Sequence, residues 1–182
     1  MPKQLRLVVI FCALLSLLIF LPACSKNTSE TEAPEVSVQH EDLEAQKVRE
    51  QLEMERQERE AKEREFRAAK IKFMYEDVYF EKGSYQLRPE ARELLQRKAR
   101  WLQKNTDLQV VVEGHTDESG SKEYNFALGD RRAGAVKSFL IGQGIQPSRL
   151  IAVSFGNEHP IDAGATETAR SKNRRVHFTV EE

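Results

Sequence analysis

Hydrophobic and polar positions change pattern four times along the chain. From Leu7 to Leu21 the residues are almost wholly apolar and uncharged, and they follow the basic Lys3 and Arg6. Residues 25–40, SKNTSETEAPEVSVQH, are polar and hold few large apolar groups. Such a stretch buries too little surface to fold, so a flexible tether is expected there. Residues 41–72 contain no Gly or Pro and are dominated by Glu, Arg, Lys, Gln and Ala, which favour helix. Glu55–Arg59, Glu58–Lys62, Glu60–Arg64 and Glu63–Arg67 each place an acid four residues before a base, an order that supports a helix. A heptad frame from Leu52 puts Glu55, Arg59 and Lys62 on the seam. That many charges argue for a solvated single-helix spacer over a coiled coil. If helical throughout, it spans ~48 Å at about 1.5 Å per residue.

From Phe73 onward the periods are those of a folded domain. EDVYFE is a short strand with Val78 and Phe80 on one face. Pro89 opens a helix at a position that tolerates proline. Its apolar stripe is Ala91, Leu94, Leu95, the stem of Lys98, Trp101 and Leu102. LQVVVEG is β-branched enough for a central strand. A second helix runs from about Ser121 to Gln143 and closes at Gly144. RLIAVSF and RVHFTV complete the strands, with no clear long helix between them. The expected class is α/β, an α+β sandwich. Its βαβαββ order gives a mixed sheet packed on helices, preceded by the helical spacer. The segments are 1–23, a signal; 24–40, a tether; 41–72, the spacer; and 73–182, the domain.

Composition narrows the function. The 182 residues carry 28 Lys and Arg against 29 Asp and Glu, a net charge of -1, which lacks the basic surplus of a nucleic-acid binder. Both cysteines, Cys12 and Cys24, lie in the first 24 residues, so the remainder has neither a disulfide nor a thiolate metal site. A basic start, an apolar run too short for the roughly 20 residues of a bilayer span, and a small residue before Cys24 describe a cleavable secretory signal.

One position conflicts with the helical pattern. Leu128, Ala135, Val136, Phe139 and Leu140 form the stripe of the second helix, and Arg132 falls inside it. A guanidinium beside a core is costly unless paired, so Arg132 calls for an anionic partner from the protein or from a ligand. Asp117, in the VEGHTDESG loop after the central strand, is the candidate to share its site. In layered α/β sheets, ligands gather outside the carboxyl ends of strands, and Gly114 and Gly120 suit a tight turn there. Asp117 and Arg132 either clasp a zwitterion, ammonium to one and carboxylate to the other, or form a plain structural ion pair. In the first case, Arg132→Leu should fold at least as well as the wild type. His115 and Asp117 make an H-x-D fragment, but His40, His159 and His177 show no ligand spacing, so no metal or cofactor is expected. The alternative class is a hydrolase or metal-dependent enzyme acting beyond the membrane that the signal crosses. Adjacent Asp117 and Glu118 are poorly placed for two-sided acid–base work, and a non-enzyme is expected.

Two resemblances sharpen this reading. Leu21-Pro22-Ala23-Cys24 resembles a bacterial lipobox. It implies lipidation of Cys24, with Ser25 pointing to the outer membrane and its periplasmic face. VEGHTDESGSKEYNFALGDRRAGAV, SFGNEHP and SKNRRVHF resemble the peptidoglycan-binding domain of the OmpA C-terminal family, closest within it to the peptidoglycan-associated lipoproteins. That likeness covers roughly residues 76–180. It implies that Asp117 and Arg132 bind the diaminopimelate of the stem peptide and that Tyr79, Phe80 and Ser84 border the pocket. It further implies roles for Asn125 and Leu128 in the helix signature and for Asn173 and Arg174 in the closing motif. The partners implied are peptidoglycan, the outer membrane through the lipid on Cys24, and Tol-system periplasmic proteins. Glu81-Lys82-Gly83 stands where that group commonly has an aspartate-rich turn.

Mass spectrometry of the mature amino terminus is expected to find acyl chains on Cys24. An uncut chain beginning at Met1, or an unmodified Cys24 thiol, would contradict the lipobox.

Overall fold

The computed structural model describes residues 35–181. Cys24 and the signal segment lie outside them. The contacts divide the chain into two units, residues 1–48 and 49–182. Helix α1, Glu35–Tyr75, starts inside the stretch expected to be a tether and continues past Lys72. Its exposed surface carries acid–base pairs one turn apart: Glu58–Lys62 at 2.6 Å, Glu63–Arg67 at 2.6 Å and Glu60–Arg64 at 4.0 Å. Among the described residues, no helix is long and apolar enough to cross a membrane.

In the second unit, α1 ends in the hydrophobic core. Phe73 is buried, and its ring meets Trp101 at 4.7 Å and Phe178 at 5.5 Å between centroids. Phe66 stacks on Trp101 at 6.1 Å. The expected boundary at residue 73 is therefore not a break, because the last turns of α1 supply core side chains.

Strands β1 (Val78–Tyr79), β2 (Gln109–His115), β3 (Leu150–Gly156) and β4 (Arg175–Glu181) form one sheet in the order β1-β4-β2-β3. β2 and β3 are parallel, and β4 runs antiparallel to both β1 and β2, so the sheet is mixed as expected. Alternation along β2 sends Val110 and Val112 into the core, and along β4 it sends Val176 and Phe178 there. Helices α2 (Pro89–Lys104) and α3 (Lys122–Gly142) supply the facing apolar side chains, among them Leu95, Leu102, Ala133, Val136 and Leu140. Ala133 is buried where Ala135 had been expected in the stripe. Ser121 caps α3 by accepting from the Tyr124 amide, and Gly144, with φ of 90°, turns the chain at its end.

One element went unforeseen. Helix α4, Glu167–Asn173, lies between β3 and β4, capped by the Thr166 side chain. With Ala169 as its only buried apolar residue, it has no stripe for a periodicity to reveal. The first strand is also shorter than the EDVYFE reading, because only Val78 and Tyr79 pair with β4.

Lys98 is the unusual core residue. Its amine donates to the Phe73 carbonyl and sits 4.4 Å and 4.1 Å from the ring centroids of Phe73 and Phe178. Burial pushes its pKa down to about 7, against the pull of Glu76 and Asp77. Between about 7 and the unfolded value near 10.5, the unfolded chain holds more protons at this site. Stability therefore rises as pH rises through that window. Lys98→Met is expected to flatten this rise in denaturant titrations at pH 7, 8.5 and 10. An unchanged slope would show that the amine titrates normally.

Candidate functional site

The site lies where the carboxyl end of β2 meets the first turns of α3. Two glycines set that meeting. A Cβ on Gly114 of β2 would lie 1.9 Å from the carbonyl oxygen of Gly129 on α3. A Cβ on Gly129 would lie 2.3 Å from Ser154 Oγ. The hydroxyl of Ser154 on β3 donates to the Phe126 carbonyl at 2.8 Å, holding the helix from the other side. Gly114 thus serves close approach rather than the turn expected of it, while Gly120, with φ of 99°, does provide a turn.

That packing brings Leu128 and Arg132 over the β2–α3 loop. Arg132 is fully buried. Its guanidinium donates to three backbone carbonyls: Nε to Ser84 at 2.8 Å, Nη1 to His115 at 2.7 Å and Nη2 to Glu81 at 3.1 Å. The Phe80 ring lies beneath it, 5.2 Å from ring centroid to guanidinium carbon. Among the described residues it forms no ion pair. Burial lowers its pKa to about 10, partly opposed by nearby Asp117, so it remains a cation at neutral pH.

The plain ion pair between Asp117 and Arg132 is not what forms. Asp117 Oδ2 pairs with Arg174 Nη1 at 3.1 Å, while Oδ1 accepts from the Ser119 amide at 3.0 Å. Burial opposes ionisation of Asp117 most strongly. The Ser119 and Arg174 contacts together outweigh it and hold the carboxyl below its ordinary value. Arg174 also pairs with Glu167 at 2.6 Å, and Arg170 pairs with Glu118 at 2.7 Å. Two ion pairs thus tie the β2–α3 loop to α4.

A pocket of about 70 Å³ opens between these groups, lined by Lys82, Gly83, Thr116, Asp117, Ser119, Tyr124, Leu128 and Arg132. Of the residues expected at the site, Asp117, Leu128 and Arg132 line it. Phe80 and the Ser84 carbonyl support Arg132, and Arg174 supports Asp117. Asn173 is spent on the chain before α4, accepting from Ile161 and Asp162 amides and donating to the Asp162 carbonyl. Asn125 is fully buried, and its amide group has no hydrogen-bond partner among the described residues. Tyr79 is partly exposed on β1. Lys82 also lines the pocket, in the turn that stands where the family has aspartates, as do Tyr124, Thr116 and Ser119, of which the last two were not foreseen. Thr116 and Ser119 lie one and two positions from Asp117 in sequence, and that nearness is the signal that could have found them. His115 is buried against Phe155, and burial pushes its pKa down to about 3, so its ring is neutral. Among the described residues, no group of three or more His, Cys, Asp or Glu is placed to hold a metal.

Chemically, the pocket offers a buried cation without a counter-ion and a carboxylate with spare lone pairs. The guanidinium has five N–H donors, and three are engaged. The carbonyl contacts also revise one expectation. Arg132→Leu would strip this donor from the Ser84 and His115 carbonyls, while Glu81 keeps the Ser84 amide, at about 1–3 kcal/mol for each acceptor left buried and unpaired, so it should destabilise the fold rather than complete a stripe.

Comparison with known proteins places this architecture. A family model described as OmpA family matches residues 79–174. The chain is 49% identical over 100 residues to a peptidoglycan-associated lipoprotein of Pseudomonas aeruginosa, covering 55% of this chain and 59% of that one. The chain thus spans about three fifths of the length of the curated relatives it matches. A crystal structure of the peptidoglycan-associated lipoprotein from Burkholderia pseudomallei matches at a TM-score of 0.57 and 36% identity, covering 58% of this chain and 89% of that one. The C-terminal domain of Helicobacter pylori MotB matches at 0.56 and 27% identity, covering 59% of this chain and 84% of that one.

Gly114→Ala tests how the site is set. Its methyl group must push α3 off β2, since the obstacle is backbone. A stability loss of about 1–3 kcal/mol or more is expected, with chemical-shift changes at Leu128 and Arg132. A wild-type melting temperature with unmoved shifts would refute the close-packing account.

Proposed function

The chain belongs to the OmpA family, and from that premise we propose that it is a non-catalytic tether that grips peptidoglycan through diaminopimelate. The observation that carries this is Arg132, a fully buried cation that meets three carbonyls and no carboxylate while lining a pocket beside Asp117. A group of that kind is stabilised by an arriving anion. Diaminopimelate presents an ammonium and a carboxylate on one carbon. Its carboxylate takes the free guanidinium donors, and its ammonium takes the open lone pairs of Asp117. Neither contact makes or breaks a covalent bond.

The relatives named peptidoglycan-associated lipoprotein support this reading, and the lipobox extends it. Acylated Cys24 anchors the chain to the outer membrane, with the domain on the periplasmic side and Tol-system proteins as partners. Each buried methylene contributes about 0.8 kcal/mol, and more than one acyl chain makes the anchor stable.

Asp117→Asn removes the charge that meets the ammonium and keeps the shape. Arg174 retains Glu167 as a partner, so the variant should fold. Its affinity for purified sacculi should fall by about 2–5 kcal/mol, enough to lose co-sedimentation. Arg132→Lys keeps a cation but lacks the planar fork, and a similar loss is expected. Undiminished binding by a folded Asp117→Asn protein would end this reading.

A further inference from the structure

The pocket has a second cation, carried on a turn that Arg132 itself holds in place. The Ser84 amide donates to the Glu81 carbonyl at 3.1 Å, closing a four-residue turn with Lys82 and Gly83 at its centre. Gly83 has φ of 65°, as the third position of such a turn requires. The carbonyls at both ends of the turn, Glu81 and Ser84, accept from the guanidinium of Arg132. One buried group therefore fixes the turn and the pocket wall it forms.

The charges on the turn are not balanced. The Glu81 carboxylate is drawn off by Arg88 at 2.7 Å. Lys82 lines the pocket and forms no ion pair among the described residues. Across the pocket, Asp117 is already matched by Arg174. The mouth thus offers two cations, Lys82 and Arg132, and one paired carboxylate.

We propose that Lys82 is a specificity-determining residue that receives a second carboxylate of the stem peptide, beyond the one at Arg132. This rests on the peptidoglycan reading and deepens it. Lys82 also repels the ligand's ammonium, which fixes orientation: ammonium to Asp117, carboxylates to the Arg132 and Lys82 side. The chain then prefers stem peptides with free carboxylates over amidated ones. Because the lysine is exposed, its attraction is screened by salt.

Two synthetic tripeptides test this, L-Ala-γ-D-Glu-diaminopimelate and the same peptide amidated at every carboxylate except the one beside the free amine. Both keep the group that the Asp117–Arg132 clasp takes. Binding to the full mature protein is measured by titration at low and high salt. The wild type should prefer the free-acid peptide by about twofold to fivefold at low salt, the reach of an exposed ion pair. High salt should erase the preference. Lys82→Met, which keeps the stem and loses the charge, should erase it at low salt as well, with an unchanged melting temperature. If both peptides bind the wild type equally, or if Lys82→Met keeps the preference, the role of Lys82 is overturned while the diaminopimelate clasp stands. If neither peptide binds the wild type, the clasp itself fails and the proposal with it.

Discussion

The guanidinium of Arg132 is the contact on which the site depends. It lies in a helix face that packs mostly apolar side chains, and three carbonyls turn toward it, two from the β1–α2 loop and one from the end of β2. Carbonyl oxygens are partial charges only, so they solvate the cation without neutralising it. A carboxylate at the same place would have closed the site electrically. Instead, Asp117 is diverted to Arg174, which is held in turn by Glu167. Burying two like charges so close together is costly. The ion pairs around Arg174 offset its share, while Arg132 has no carboxylate paired to it among the described residues.

Much of this was legible in the chain, and the reasons differ by element. The period of β2, the stripe of α2 and the caps of α3 follow from local spacing, and each formed close to where it was expected. Arg132 announced itself as a charge in an apolar row. Its partners did not, because backbone carbonyls at Glu81, Ser84 and His115 leave no trace in side-chain identity. The Asp117–Arg174 pair spans 57 positions and joins a loop to the residue that ends α4, which no periodicity links. Helix α4 escaped notice because seven residues with one buried apolar side chain make no pattern. The family likeness supplied what spacing left open. It singled out residues such as Phe80 and Arg174 that support the pocket from behind rather than line it.

Helix α1 joins two regimes of stabilisation in one element. From residue 42 through the fifties its side chains are exposed, and exposed acid–base pairs one turn apart contribute only a few tenths of a kcal/mol each. Near Phe66 and Phe73 the same helix buries aromatic surface against Trp101 and Phe178. The second kind of contact is the stronger per residue. High salt should therefore loosen the outer helix and leave its last turns seated.

The pairing of β1 carries a mechanical consequence. In the tether proposed above, force entering at Asp117 would reach β2, which has β4 on one side and β3 on the other. The path back toward α1 crosses from β4 to β1 through only two residue pairs, Val78 with Val176 and Tyr79 with Arg175. So short a ladder is the weakest seam in the sheet. What reinforces it is the aromatic wedge of Phe73 beneath Trp101 and Phe178, with Lys98 fastened to the Phe73 carbonyl. Pulled from both ends, the domain would yield first by extracting that wedge and peeling β1, and because Lys82 and Gly83 follow β1 within a few residues, the pocket wall they form would go with it.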